Sequence, residues 1–135
     1  HLDAADVEVA KSRQLWVPTR ADRYGDLDRP AALLALHRGR LDVAESFAAA
    51  SVRRWEGVSQ SSRTHSSIVL ATIHVRAGEP DGLSLAHGAI TAVTKISSVR
   101  VRKRLVLLAD ELAARPGTDA KDLSRMAHQV AGVRA

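Results

Sequence analysis

The sequence predicts an all-α fold of stacked antiparallel helix pairs, an α-solenoid of about six to seven helices. Apolar residues recur at helical spacing along most of the chain, and no useful length alternates between apolar and polar residues as a strand does. The four aromatic residues all lie within the first 55 positions, so the later core must consist of aliphatic side chains, which suit closely packed helices. A helix–glycine–helix unit also occurs twice.

This repeated unit is centred on Gly39 and Gly78, which lie 39 residues apart. One helix pair cannot bury both of its faces, so repeated pairs are expected to stack on one another. The alternative is an irregular helical bundle whose two loops both happen to contain glycine. Matching apolar and acidic positions favour the solenoid: Leu34 with Ile73, Leu36 with Val75, Asp42 with Asp81, and Ala44 with Leu83.

The first half of the chain predicts four helices. One covers residues 3–16, with acids at its positive end, and the next covers residues 28–38, with Pro30 in its first turn. The third covers residues 41–55, where Phe47 and Trp55 share a face with small residues, so both rings are expected to be buried. The fourth covers residues 63–77 and ends at the second repeated glycine.

Three further helices are predicted in the second half. The first of them begins at Pro80, and the second follows Ser97 and Ser98, which offer an N-cap. The last begins at Asp119 and runs through Val130. With 135 residues, the whole chain (1–135) is expected to form one domain.

Composition limits the setting of the protein. The apolar stretches are too short to cross a bilayer and no signal peptide precedes them, so we expect a cytoplasmic protein that does not contact membranes. Cysteine is absent, which excludes disulfides and thiolate metal sites. Because the chain begins with His rather than Met, we expect it to be the C-terminal part of a longer protein.

The run "LLALHRGRLDVAESFAAASVRRW" resembles a tetratricopeptide repeat. It has the glycine in the turn and the small Ala44 early in the second helix, and "IVLATIHVRAGEPDGLSLAHGAIT" repeats this frame more loosely. The usual aromatic residues of the first helix are missing, and the spacing exceeds the usual repeat length. The resemblance is therefore to a degenerate tetratricopeptide array.

A second resemblance involves "TKISSVRVRKRLVLLADELAARPGTDAKDLSRM". Ser98 to Leu105 has the order Ser-Val-Arg-x-Arg-x-x-Leu, and the region is similar to the C-terminal part of actinobacterial helix-turn-helix transcriptional regulators of the XRE type. This resemblance implies a ligand- or peptide-sensing or oligomerisation domain, with DNA binding assigned to an upstream domain. The alternative is a general protein–protein interaction scaffold with no role in transcription.

A binding groove is expected where the first helices of stacked pairs line the concave side, because peptides and small ligands usually bind there. The predicted lining is Arg29, Leu33 and His37 from one unit, and His65, Thr72 and Arg76 from the next. Mixed apolar and cationic side chains suit an acidic peptide or a carboxylate. In the alternative interpretation these residues simply pack between helices. For Leu33, this packing interpretation is favoured.

A basic patch is predicted at Arg100, Arg102, Lys103 and Arg104. Arg100 and Arg104 share one face of their helix, whereas Arg102 and Lys103 point elsewhere. A solvated or internally paired surface is the favoured interpretation, and an acidic protein or ligand is the second. Direct nucleic-acid contact is not expected, because the cations form no coherent stripe and no aromatic residue is near. A second copy of the chain remains an alternative partner.

No pattern of an enzyme is present: neither a phosphate-binding glycine loop, nor a serine elbow, nor a His-Glu-x-x-His pair. We therefore expect a protein without catalytic activity, cofactor or metal. Two groups of residues have the side-chain types of metal ligands, namely His65, His74 and His87, and the run of Asp22, Asp26 and Asp28. His65 and His74 are not on adjacent turns of one face, so ordinary core or groove histidines are expected. The aspartates lack the order of a calcium loop, so a solvated loop is expected there.

Overall fold

The computed structural model of the chain describes residues 26–132, and this range contains six helices and no strand. The predicted all-α class is therefore confirmed. The predicted helix over residues 3–16 lies outside the described residues. The helices are α1 (Asp28–His37), α2 (Leu41–Trp55), α3 (Gln60–Arg76), α4 (Gly82–Val93), α5 (Val99–Ala113) and α6 (Thr118–Ala131).

The six helices form three antiparallel pairs, α1 with α2, α3 with α4, and α5 with α6. The first helices of the pairs also pack side by side, because α3 contacts both α1 and α5. The surface made by α1, α3 and α5 is called the first-helix face from here on. The second helices join successive pairs as well: α2 packs on α3, and α4 packs on α6. This is the solenoid-like stacking that the repeated unit predicts.

The two repeated glycines adopt the same backbone conformation. The φ angle is 72° at Gly39 and 71° at Gly78, a region that side chains with a Cβ rarely enter. Each glycine ends its helix in a Schellman motif, in which an N–H beyond the glycine reaches back five residues to a carbonyl. The two equivalent bonds are Arg40 N–H to the Ala35 carbonyl (2.9 Å) and Glu79 N–H to the His74 carbonyl (3.1 Å).

The helix boundaries agree with the predicted ones to within one residue except at two helix starts. Helix α3 begins at Gln60, three residues earlier than predicted, because the Ser59 hydroxyl accepts from the backbone N–H of Ser62 (3.2 Å) and caps the helix. Helix α4 begins at Gly82 instead of Pro80, since residues 80 and 81 form a turn. The predicted Ser98 cap of α5 is confirmed.

Helix α3 is buried on two sides and thereby divides the apolar core into two clusters. Val69 and Ile73 face α1 and α2, where they meet alanines such as Ala44 and Ala48. Ile68 and its neighbours face the second cluster, formed with α4, α5 and α6. The second cluster is aliphatic throughout: Ile68, Ala71, Val75, Ala86, Ala89, Ile90, Val93, Val101, Leu105, Leu108, Ala109, Leu112, Ala120 and Ala127.

A buried carboxylate fixes the start of α1. Asp26 is 8% exposed, and its Oδ1 accepts from the backbone N–H of Asp28 (2.8 Å). Its Oδ2 accepts from the Ser51 hydroxyl and from Trp55 Nε1 (3.0 Å) on α2. The expectation of a solvated loop is therefore wrong for Asp26 and Asp28, because both are buried and Asp26 accepts hydrogen bonds from interior donors.

The polar network continues from α2 into α3. The hydroxyls of Ser51 and Ser66, both fully buried, hydrogen-bond to each other. Ser66 Oγ also accepts from Nη1 of Arg29, which donates to the Ser62 carbonyl as well, each at 3.2 Å. Side chains of α1, α2 and α3 are thus tied together at one end of the first pair.

The two aromatic rings of α2 have different environments. Trp55 is 7% exposed, as expected, whereas Phe47 is only partly buried and packs at the edge of its cluster. The expectation that both rings are enclosed is wrong for Phe47. The reason is helical phase: Ala44, Ala48 and Ser51 form the buried stripe with Trp55, and Phe47 lies about 70° from the centre of that stripe.

Replacing Asp26 should destabilise the fold. In Asp26→Ala, Ser51 and Trp55 would keep buried donors without their acceptor, so we expect the free energy of unfolding to fall by about 2–4 kcal/mol. Asp42→Ala is the matched control, since Asp42 is an exposed acid in the first turn of α2 and should lose less than about 1 kcal/mol. Urea denaturation measures both, and equal losses would contradict a structural role for Asp26.

Candidate binding site on the first-helix face

A cavity of about 270 Å³ opens on the first-helix face. All three first helices line it: Leu33, Leu36 and His37 of α1, Thr72 and Arg76 of α3, and Arg104, Leu107 and Glu111 of α5. Four of the six predicted groove residues, Leu33, His37, Thr72 and Arg76, therefore meet in one cavity. Leu33 and Leu36 also pack within the core, so the packing interpretation holds for them together with the lining role.

The repeat spacing explains which residues meet. Leu33, Thr72 and Glu111 follow one another at intervals of 39 residues, on α1, α3 and α5 respectively. Equivalent positions of stacked units adjoin on the same face. The prediction did not extend the repeat to a third unit and so missed Leu107 and Glu111. A sequence signal was available, because Gly117 follows Gly78 by the same interval and also has a positive φ.

Arg76 is held at the rim of the cavity by neighbouring groups. Its Nη1 donates to the Leu36 carbonyl (2.9 Å), and its Nε lies 3.1 Å from Oε1 of Glu111. The other oxygen of Glu111 lies 3.4 Å from Nη2 of Arg115. Arg76 therefore bridges α1 to α5, and two of its nitrogens are already committed to protein acceptors.

His65 lies on the same face beside Arg104. The Nε of Arg104 donates to His65 Nε2 at 3.1 Å, so the imidazole is neutral and acts as the acceptor. Burial, which is the largest cause, and the positive charges of Arg29, Arg104 and Arg100 together lower the pKa of His65 to about 4. His65 is therefore placed within a positive electrostatic field.

Arg29 shares this field. Burial lowers the pKa of its guanidinium, Asp26 acts in the opposite direction, and Arg100 and Arg104 lower the pKa through like-charge repulsion. Asp26 is one carboxylate against three guanidiniums, so it neutralises their charge only in part, and its oxygens already accept from Ser51, Trp55 and a backbone N–H. The three guanidiniums of Arg29, Arg100 and Arg104 are called the arginine cluster.

The structure divides the predicted basic patch. Arg104 lines the cavity, and both Arg100 and Arg104 act electrostatically on Arg29 and His65. Arg102 is partly buried and Lys103 is exposed, and neither lines the cavity. The arginine cluster and the cavity meet at Arg104, which belongs to both. The predicted groove and part of the predicted basic patch, which the sequence predicts as separate features, therefore form one continuous site.

Within residues 26–132, no group of three or more His, Asp or Glu side chains is placed to hold a metal ion, and none of the helices there is long and apolar enough to cross a membrane. The chain matches no protein-family model, no curated protein and no solved structure. What can be inferred of its function comes from the geometry and charge of the first-helix face.

The depressed pKa of His65 predicts a loss of stability in mild acid. Unfolded His65 takes up a proton near pH 6.5, whereas folded His65 resists protonation until about pH 4, so stability falls as the pH drops through this range. Relative to His65→Gln, which keeps an acceptor for Arg104, the wild type should lose on the order of 2–3 kcal/mol more between pH 7 and pH 4.

Chemical denaturation of both proteins at several pH values measures this difference. All other residues are the same in the two proteins, so their contribution cancels in the comparison. If the free energy of unfolding changed with pH to the same extent in the wild type and in His65→Gln, His65 would protonate normally in the folded state.

Proposed function

We propose that this chain is a non-enzymatic binding domain that captures an acidic protein or peptide on its first-helix face. The observation that carries the proposal is the arginine cluster beside an apolar cavity. Arg29, Arg100 and Arg104 repel one another, and Asp26, the carboxylate that acts on Arg29, is already hydrogen-bonded inside the fold. An anionic partner would relieve this repulsion, and it would gain charge-assisted hydrogen bonds.

The cavity supports a partner that also carries apolar groups. Leu33 and Leu107 supply apolar walls, and Thr72 contributes a side chain whose hydroxyl already donates to the Ile68 carbonyl (2.8 Å). An apolar side chain of the partner would therefore leave no cavity hydroxyl without an acceptor. This mixture of a charged rim and an apolar pocket suits an extended peptide better than a nucleic-acid backbone, which offers regularly spaced phosphates but no protruding aliphatic side chain.

The buried polar groups support binding over catalysis. Ser51 and Ser66 bond to each other and to Asp26 or Arg29 in the interior, so neither hydroxyl is presented to a substrate. His65 accepts from Arg104, and among residues 26–132 it makes no hydrogen bond to a hydroxyl that it could activate.

The wider role proposed here is that of a ligand- or peptide-sensing or oligomerisation domain in a cytoplasmic transcriptional regulator. It is supported by the resemblance of Ser98 to Leu105 to the C-terminal part of XRE-type regulators, and by the position of Arg100 and Arg104 within that run. A general interaction scaffold is the second candidate. A helix-turn-helix pattern encoded upstream in the complete gene would favour the regulator, and its absence there would favour the scaffold.

The proposed binding face can be tested with two matched double variants. Each removes two positive charges from α5, either Arg100 and Arg104 or Arg102 and Lys103, by substitution with Ala. A partner is first captured from cells that express the protein, purified, and titrated against the wild type. We expect the first variant to weaken binding roughly tenfold or more, because charge-assisted bonds are lost, and the second to leave the affinity within about twofold.

Photo-crosslinking from position 33 and from an exposed position of α2, such as Arg53, locates the partner independently of charge. Crosslinks from position 33 alone would agree with the proposal. Crosslinks from α2 alone, or equal weakening by both double variants, would assign the partner to another surface.

A further inference from the structure

The cavity on the first-helix face is small, and its size limits what can enter. At about 270 Å³ it lies below the range of roughly 300–1,000 Å³ that is usual for drug-sized ligands. Three of its eight lining residues are leucines, Leu33, Leu36 and Leu107, contributed by two different helices, and the other five are polar or charged. One short aliphatic group therefore fits between the leucines, with polar side chains close by.

The two charged ends of the cavity are not equivalent. At one end, Arg76 is paired with Glu111 and also donates to a backbone carbonyl, and Glu111 is shared with Arg115. A ligand carboxylate there would face Glu111 and compete with existing bonds. At the other end, Arg104 has no carboxylate partner among the described ion pairs, and its described hydrogen bond, to His65, uses only Nε.

Arg104 therefore presents its two terminal nitrogens to a ligand. A guanidinium offers these nitrogens in a planar fork that matches a carboxylate. Arg100 and Arg29 add positive charge from the neighbouring turn of α5 and from α1. The same three charges act on His65, where they add to the effect of burial in lowering its pKa.

From this arrangement we infer that the site takes a carboxylate carried on a short aliphatic group, with the aliphatic part in the cavity and the carboxylate on Arg104. The inference rests on the proposed function, because it names the ligand chemistry of the same face. Two sources share that chemistry: a free short-chain carboxylic acid, and the C-terminal residue of a peptide that ends in an aliphatic side chain. The first-helix face accommodates either.

The experiment titrates the full chain at pH 7 with four probes while NMR follows the backbone amides. The probes are hexanoate, its neutral analogue hexanamide, a short peptide ending in Leu with a free carboxylate, and the same peptide with an amidated C-terminus. We expect hexanoate or the free peptide to shift the signals of Leu33, Thr72 and Leu107 in a saturable manner. Each should bind about tenfold or more tightly than its neutral counterpart.

Three variants test the assignment of the two ligand parts. Arg104→Gln should weaken binding of the effective probe about tenfold, while Arg102→Gln on the same helix should not. Leu33→Trp should block the cavity while it leaves every charge in place. Thermal unfolding of each variant checks that the fold persists, and a variant that unfolds is replaced by Leu107→Trp or Arg104→Lys, for which weaker binding is again expected.

The outcomes separate the sources and the hypotheses. Binding of hexanoate alone identifies a small-molecule acid, and binding of the free peptide alone identifies a peptide terminus. Equal binding of the charged and neutral probes, or no saturable shift with any probe, overturns the inference. If no probe binds but the affinity for the captured partner still depends on Arg100 and Arg104, the proposed function stands and only the ligand class is wrong.

Discussion

The structure depends on a single helix that is buried on two sides. Helix α3 packs on α1 and α2 through Val69 and Ile73, and it contributes Ile68, Ala71 and Val75 to the cluster formed with α4, α5 and α6. Neither apolar cluster is complete without it, because each takes part of its side chains from α3. A helix in this position cannot have a simple amphipathic pattern, since two of its faces must be apolar.

This constraint accounts for the polar side chains at the start of α3. Ser66 and His65 lie where neither apolar cluster reaches, and both are buried. Each buried polar atom needs a partner, and the partners come from other elements: Ser51 of α2 and Arg29 of α1 for Ser66, and Arg104 of α5 for His65. The same bonds that satisfy α3 also set the positions of Arg29 and Arg104 in the site.

The arginine cluster is unfavourable for the isolated fold. Like charges repel, and burial lowers the pKa of Arg29 and of His65. A purely structural solution would place a carboxylate beside Arg104, as Glu111 is placed beside Arg76. The contrast between a neutralised end and a positive end of one cavity gives the face a direction, and under the proposed function this direction would orient an amphipathic anion. The proposal then explains the repulsion as stability given up for binding, which is common in proteins.

The sequence by itself determined the helices, because helical periodicity, capping serines and turn glycines act over a few residues. Gly39 and Gly78 have nearly equal φ angles and equivalent hydrogen bonds, so the local sequence is sufficient to define these two turns. Only the tertiary structure decided which side chains meet. Asp26 became a buried acceptor because its donors, Ser51 and Trp55, are distant in the chain. Phe47 stayed at an edge because the packing of α2 on its neighbours decided which part of its apolar face is covered. The joining of Arg104 to His65 across 39 residues likewise required α5 to pack on α3.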